Sequence, residues 1–151
     1  MRAVIQRVRK ASVEVDGETT GAIELGLVVL AGVADNDTVS DADALADKIV
    51  GLRIFPDEDQ KMNRSVVDAA GAVLLVSQFT LLGEVRKGRR PSFSAAAPAE
   101  EAEILIARLA DAIKTHGLAV EQGRFGAMME VSLINDGPVT IIIDTNDGKV
   151  I

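Results

Sequence analysis

The 151-residue chain contains no cysteine, no tryptophan and no tyrosine, and only one histidine and four phenylalanines. Without cysteine there can be no disulfide, no thiolate nucleophile and no cysteine zinc site, which fits a reducing compartment. A single histidine cannot form a histidine metal cluster. It also leaves a nucleophilic triad only one possible base, His116, whose neighbour Gly117 marks a helix end where a cation suits the macrodipole. The acidic residues show no grouping with metal-ligand spacing, and glycine-rich loops of the Walker or Rossmann type are missing. No apolar run approaches the roughly 20 residues of a membrane span. The N-terminal stretch carries Arg2, Arg7 and Arg9 where a signal peptide would be apolar. These absences lead to the expectation of a soluble, cytoplasmic protein with no metal and no cofactor.

The charge balance adds an exclusion. A net charge of −7 and a pI near 4.7 repel a polyanion at long range. A nucleic-acid partner therefore needs a local basic patch, and the one dense candidate is Arg86, Lys87, Arg89 and Arg90, interrupted by Gly88. The competing reading of that run is a solvated charged loop. With so few aromatic residues, base stacking has little to work with, so recognition of an RNA would concern its end more than its base sequence.

Periodicity places strands at Arg2–Val8, Ala11–Val15, Gly21–Glu24 and Leu27–Val33, parted by Asp16-Gly17 and Gly26 as turns. Asp37 to Asp41 supply cap residues for a helix over Ala42–Val50, with Leu45, Ile49 and Leu52 on one face. A second helix opens at Pro98 with Glu100 and Glu101, carries Ile104, Leu105, Leu109 and Ile113, and closes at His116-Gly117. Ala72–Val76 reads as a buried strand, and further strands fall near Leu118–Glu121, Met128–Ile134 and Val139–Ile143. The order predicts one domain over residues 1–151. Its class is mixed α/β, a largely antiparallel curved sheet covered by two main helices.

Two short segments stand out. Asn135-Asp136-Gly137-Pro138-Val139-Thr140 wedges Gly-Pro between strand-like runs, where proline would delete a ladder hydrogen bond. A glycine before a cis proline is an inexpensive way to turn carbonyls toward a ligand, and an ordinary tight turn is the alternative. Ser77-Gln78-Phe79-Thr80 follows the buried strand at Ala72–Val76. Together these segments resemble the hallmark motifs of the D-aminoacyl-tRNA deacylase family, Ser-Gln-Phe-Thr and Asn-x-Gly-Pro-Val-Thr. The resemblance runs along essentially the whole chain, through Arg2–Val8, Leu52–Phe55, Lys61–Asn63, Arg90–Phe93 and Gly123–Gly126. The sequence departs from the family pattern at Val85, where a small polar residue is common, and at Met128, where an acid is common.

The resemblance implies an editing enzyme that hydrolyses the ester of D-aminoacyl-tRNA, and of glycyl-tRNA mischarged on tRNA(Ala), while rejecting L-aminoacyl-tRNA. It implies a homodimer in which the Gly-Pro segment of one subunit reaches into the active site of the other. It gives Arg7 the task of pinning the carbonyls of the Gly-Pro turn, and a surface strand residue is the alternative. Catalysis falls to Ser77, Gln78, Phe79 and Thr80, chiral selection to Gly137, Pro138, Asn135 and Arg7, and tRNA binding to Arg86, Lys87, Arg89 and Arg90.

The chemistry is consistent with a chain that lacks a side-chain base. An aminoacyl ester is already activated, and the vicinal 2′-hydroxyl of its ribose can position or deprotonate a water. Backbone amides around Phe79 and Thr80 are then candidates for an oxyanion hole. The Thr80 hydroxyl is the rival, as nucleophile or water-holder. Rigid carbonyls over the α-carbon can accept from the substrate amino group and fill the space an L side chain needs. Glycine has no side chain to exclude, hence the expectation for glycyl esters. Two readings from other classes stand beside this one: a non-catalytic tRNA acceptor-end binding module, and a structural dimer paired through Val139–Ile143.

Overall fold

A computed structural model describes residues 1–151. A seven-stranded mixed sheet is built around one long strand, β1 (Arg2–Val15). It pairs antiparallel with β3 (Gly26–Gly32) on one side and β8 (Glu130–Asn146) on the other, and its second half pairs with β2 (Glu18–Ile23). Beyond β3 lie β6 (Ala72–Ser77) and β7 (Val120–Gln122), both added in parallel, and β9 (Lys149–Val150) pairs with the end of β8. A separate two-stranded hairpin joins β4 (Phe55–Pro56) and β5 (Met62–Arg64). Helices α1 (Val39–Gly51) and α2 (Ala99–Lys114) pack on the sheet and on each other. The mixed, curved α/β class expected from the element order is the one observed.

The periodicity breaks β1 in two where the structure has one strand. Ala3 and Ile5 face the main core with the helices, whereas Val8, Ala11 and Val13 face a second core of seven residues. The pairing with β8 shifts register between Gln6 and Val8 and again between Val8 and Lys10. The first slip is an insertion in β8 and leaves the alternation of β1 intact; the second places an extra residue in β1 and brings Ala11 and Val13 to the same face as Val8, so the alternation loses phase in mid-strand and the sheet curls. Val28, Leu74 and Val76 line that concave side, while Leu27, Val29, Val73 and Leu75 face the helices. Burial on both faces explains why β3 and β6 are nearly continuous apolar runs.

Helix α1 starts as its cap residues predict. The Asp41 carboxylate accepts the Thr38 amide at 2.9 Å and the Gly148 amide at 3.0 Å, and also accepts from the Thr38 hydroxyl. Burial by itself raises the pKa of Asp41, but the donors of Gly148 and Thr38 outweigh it and hold the group below the ordinary carboxylate value. Helix α2 runs to Lys114, with Ala102, Leu105, Ile106, Leu109, Ala110 and Ile113 buried. Ile104, assigned to its apolar stripe from sequence, is 66% exposed. Past its end, His116 lies 3.4 Å from Asp47 of α1.

Candidate functional site

Parallel β3 and β6 end side by side, Ala31 opposite Ser77, and the Gln78 amide donates to the Ala31 carbonyl at 2.8 Å. The chain then turns abruptly into a 3-10 turn, Phe79–Leu82, in which Leu81 N bonds Gln78 O and Gly83 N bonds Thr80 O. The amides that open such a turn have no preceding carbonyl within it. Phe79 and Thr80 are in that position, at the carboxyl end of parallel strands, where open α/β sheets leave a crevice.

The crevice is a cleft of about 460 Å³. Its floor is Val76 to Phe79, one wall is Ala96, Ala97 and the start of α2, and the other is the segment Phe125–Met129. The alanine wall is tied to the end of β3, since Asp35 N donates to Ala95 O and Ala97 N to Val33 O. Small side chains there keep the cleft open and apolar. The Gln78 side chain donates through Nε2 to the Thr80 hydroxyl, and a donor cannot take that hydroxyl's proton. Phe79, placed among the catalytic residues by the resemblance, is 57% exposed. Its ring meets Phe93 edge-on, with centroids 5.1 Å apart, and Gly83 sits beneath, where a Cβ would lie 3.0 Å from Phe93 Cε1. Phe93, Phe125 and Met129 belong to this surrounding; Phe93 and Phe125 lie in segments that carry the resemblance, but sequence gives none of the three a site role, because a lone apolar side chain reads equally well as core.

The basic run is an arm rooted in the same turn. Glu84 and Ser92 exchange backbone hydrogen bonds at 2.8 and 3.0 Å, and the loop between them reverses through Gly88 at φ +70°. Arg86, Lys87, Arg89 and Arg90 are all exposed on it. The Arg86 guanidinium holds the Glu84 carboxyl below the usual range, helped by the Arg86 amide.

Gly137 and Pro138 lie elsewhere. Sequence split this region into two strands with a turn; the structure has one strand, β8, with an excursion. Val8 pairs with Asn135 and Gln6 with Thr140, so Asp136 to Val139 bulge out opposite the single residue Arg7. The Gly137–Pro138 peptide is cis. Two clamps hold the excursion. Asn135 acts as a surrogate strand residue, its Oδ1 accepting from Val139 N at 2.8 Å and its Nδ2 donating to Val139 O at 2.9 Å. Arg7, only 11% exposed, donates through Nε to Asp136 O at 2.8 Å and through Nη1 to Ile54 O at 2.5 Å. Its guanidinium thus ties the excursion to the segment entering β4, which decides against a plain surface residue. A Cβ on Gly137 would stand 2.2 Å from Val139 N, so no other residue fits.

One chain does not bring the two motifs together. Ser77 is level with Ala3 and the excursion with Arg7, three strands away. Four residues along a strand and three strands across each amount to about 14 Å, so the motifs are roughly 20 Å apart. None of Arg7, Asn135, Gly137 and Pro138 lines the cleft.

The family model for D-Tyr-tRNA(Tyr) deacylase matches residues 4–144. The chain is 56% identical over 147 residues to a D-aminoacyl-tRNA deacylase of Solibacter usitatus, covering 97% of each protein. It is 58% identical over 147 residues to the enzyme of that name from Thermus aquaticus, again covering 97% of each. Among solved structures, a c-Myc DNA Unwinding Element Binding Protein superposes with a TM-score of 0.90 at 41% identity, covering 97% of this chain and 99% of that one. A probable eukaryotic D-amino acid tRNA deacylase shares the fold at a TM-score of 0.79 and 17% identity, covering 93% of this chain and 97% of its own. With its Ser77–Thr80 turn at the cleft and its Asn135–Thr140 excursion clamped beside β1, the chain belongs to the D-Tyr-tRNA(Tyr) deacylase family.

Proposed function

We propose that this protein is a hydrolase that cleaves the ester joining a D-amino acid to tRNA, releasing the free amino acid and tRNA in the cytoplasm, with residues 1–151 acting as one domain. The carrying observation is near full-length kinship with relatives named D-aminoacyl-tRNA deacylase at 54 to 59% identity. The site agrees with it. The cleft beside Ser77, Gln78 and Phe79 has the size and apolar lining for the terminal nucleoside, and the arm beside it offers four cations to backbone phosphates. At the turn, the opening amides of Phe79 and Thr80 stabilise the developing oxyanion, for about 2.7–4 kcal/mol per donor. Water is activated with help from the 2′-hydroxyl of the ribose, because the Thr80 hydroxyl has no base.

Chiral selection belongs to the main chain of Gly137 and Pro138, held by Asn135 and Arg7 over the α-carbon. In this reading the turn that acts at a given cleft comes from a second copy, which the separation of roughly 20 Å within one chain supports. Exposed apolar side chains on β8 outside the cleft, Ile134 and Ile142, favour such a homodimer. Glycyl-tRNA, including glycine mischarged on tRNA(Ala), is also cleaved in this scheme, since it has no side chain to clash. The test is deacylation of one tRNA charged in turn with a D-amino acid, its L enantiomer and glycine. Release from the D- and glycyl-esters with the L-ester spared supports the reading; equal loss of both enantiomers, or no release at all, refutes it. No release combined with tight tRNA binding would identify a non-catalytic acceptor-end binder instead.

A further inference from the structure

The arm carries a charge of the wrong sign at its root. Between residues 84 and 92 there are four cations, Arg86, Lys87, Arg89 and Arg90, and one acid, Glu84. That acid is held mainly by one residue: its carboxylate accepts the Arg86 amide at 2.7 Å and Arg86 Nε at 2.7 Å, and lies 2.5 Å from Arg86 Nη2. Lys87, Arg89 and Arg90 have no ion-pair partner. The arm thus presents three free cations and one that is already spoken for, although the Arg86 side chain is 85% exposed.

We propose that Glu84 is a built-in competitor for the phosphates of bound tRNA, holding the Arg86 guanidinium in the free protein and surrendering it as the RNA docks. This rests on the reading of the arm as a phosphate-binding element. An exposed ion pair is weak and is readily exchanged, and a phosphate matches the guanidinium fork as well as a carboxylate does. The exchange nevertheless has a consequence for ions. When Arg86 moves to a phosphate, the freed Glu84 carboxylate is left as an uncompensated anion beside the RNA, so the effective charge that the arm offers the polyanion is lower by one. Glu84 therefore weakens binding and flattens its salt dependence, which favours release of the tRNA product and guards a single basic arm against indiscriminate RNA. The ester chemistry is not involved.

The test is equilibrium binding of deacylated tRNA across a salt series. Glu84→Gln keeps a neutral acceptor for the Arg86 amide and removes the charge. It is expected to bind about two- to five-fold tighter near physiological salt. The slope of log K against log salt should steepen, by up to about 0.7–0.9, the value of one phosphate contact. Arg86→Ala should cost more affinity in the Glu84→Gln background than in the wild type, and should abolish the extra slope. A purely structural staple would not move that slope, and Glu84→Ala serves as a second variant, with melting curves confirming the fold of each. Unchanged affinity and slope in both Glu84 variants, with Lys87→Ala or Arg90→Ala weakening binding, overturn the competitor and leave the arm. If Lys87→Ala, Arg89→Ala and Arg90→Ala also change nothing, the arm itself is not the phosphate-binding element and both readings fall.

Discussion

Removing the Asn135 side chain isolates the clamp on the Gly137-Pro138 excursion. Asn135 makes two neutral, partly buried hydrogen bonds to Val139, at 2.8 and 2.9 Å. Each is worth about 0.5–1.5 kcal/mol net, so Asn135→Ala withdraws about 1–3 kcal/mol from the conformation that holds the turn. In a domain of this length that lowers Tm by about 2–12 °C, which the fold survives. The functional effect is sharper if the turn excludes the L enantiomer by rigidity. Converted through RT, the same 1–3 kcal/mol sets a ceiling of about 5- to 150-fold on the lost D-over-L ratio. Asn135→Asp keeps an acceptor for Val139 N but loses the donor to Val139 O and faces that carbonyl with charge, so it should rank with the alanine variant or below it. The assay is single-turnover deacylation of one tRNA charged with either enantiomer, beside thermal melting. A variant that melts earlier yet keeps the wild-type D:L ratio would refute the link between clamp and selectivity. A wild-type protein with no D preference would refute the selectivity itself.

Arg7→Lys keeps the charge but replaces a planar fork by a single ammonium, which cannot span Asp136 O and Ile54 O together. A loss of about 1–3 kcal/mol is expected, read as a lower Tm and reduced D:L ratio, with lysine no better than half of the gap to alanine. Thr80→Ala removes a hydroxyl that has a donor but no base; hydrolysis should persist within about tenfold at saturating substrate, and complete loss with intact tRNA binding would make the hydroxyl the catalytic group. Asp41 has its carboxyl held below the unfolded value, so it contributes stability above that value and loses it as pH falls through the lower folded one. Urea unfolding of Asp41→Asn against wild type should therefore show a difference of about 1–3 kcal/mol at neutral pH that narrows below about pH 4.

Local chemistry made much of this molecule legible from its residues. The Thr38 and Asp41 cap, the apolar runs of β3 and β6, and the strand ending at Ser77 follow from short-range preferences that neighbouring residues carry with them. The members of the candidate site were legible too, since Ser77–Thr80 and Asn135–Thr140 are contiguous segments. Tertiary contacts decided the rest. β1 is one strand because β8 pairs along its length through two register slips, information that lives in the partner strand and not in the alternation of β1. Arg7 is a clamp because sheet pairing sets it opposite the excursion, 129 positions along the chain. Phe93 joins the site only because the arm folds back on Phe79, and Ile104 leaves the core because of where α2 meets α1. A sequence encodes which residues favour a turn, a strand or a cap; distances between remote segments arise only when their surfaces pack, and it is those distances that separate the two motifs by roughly 20 Å within one chain.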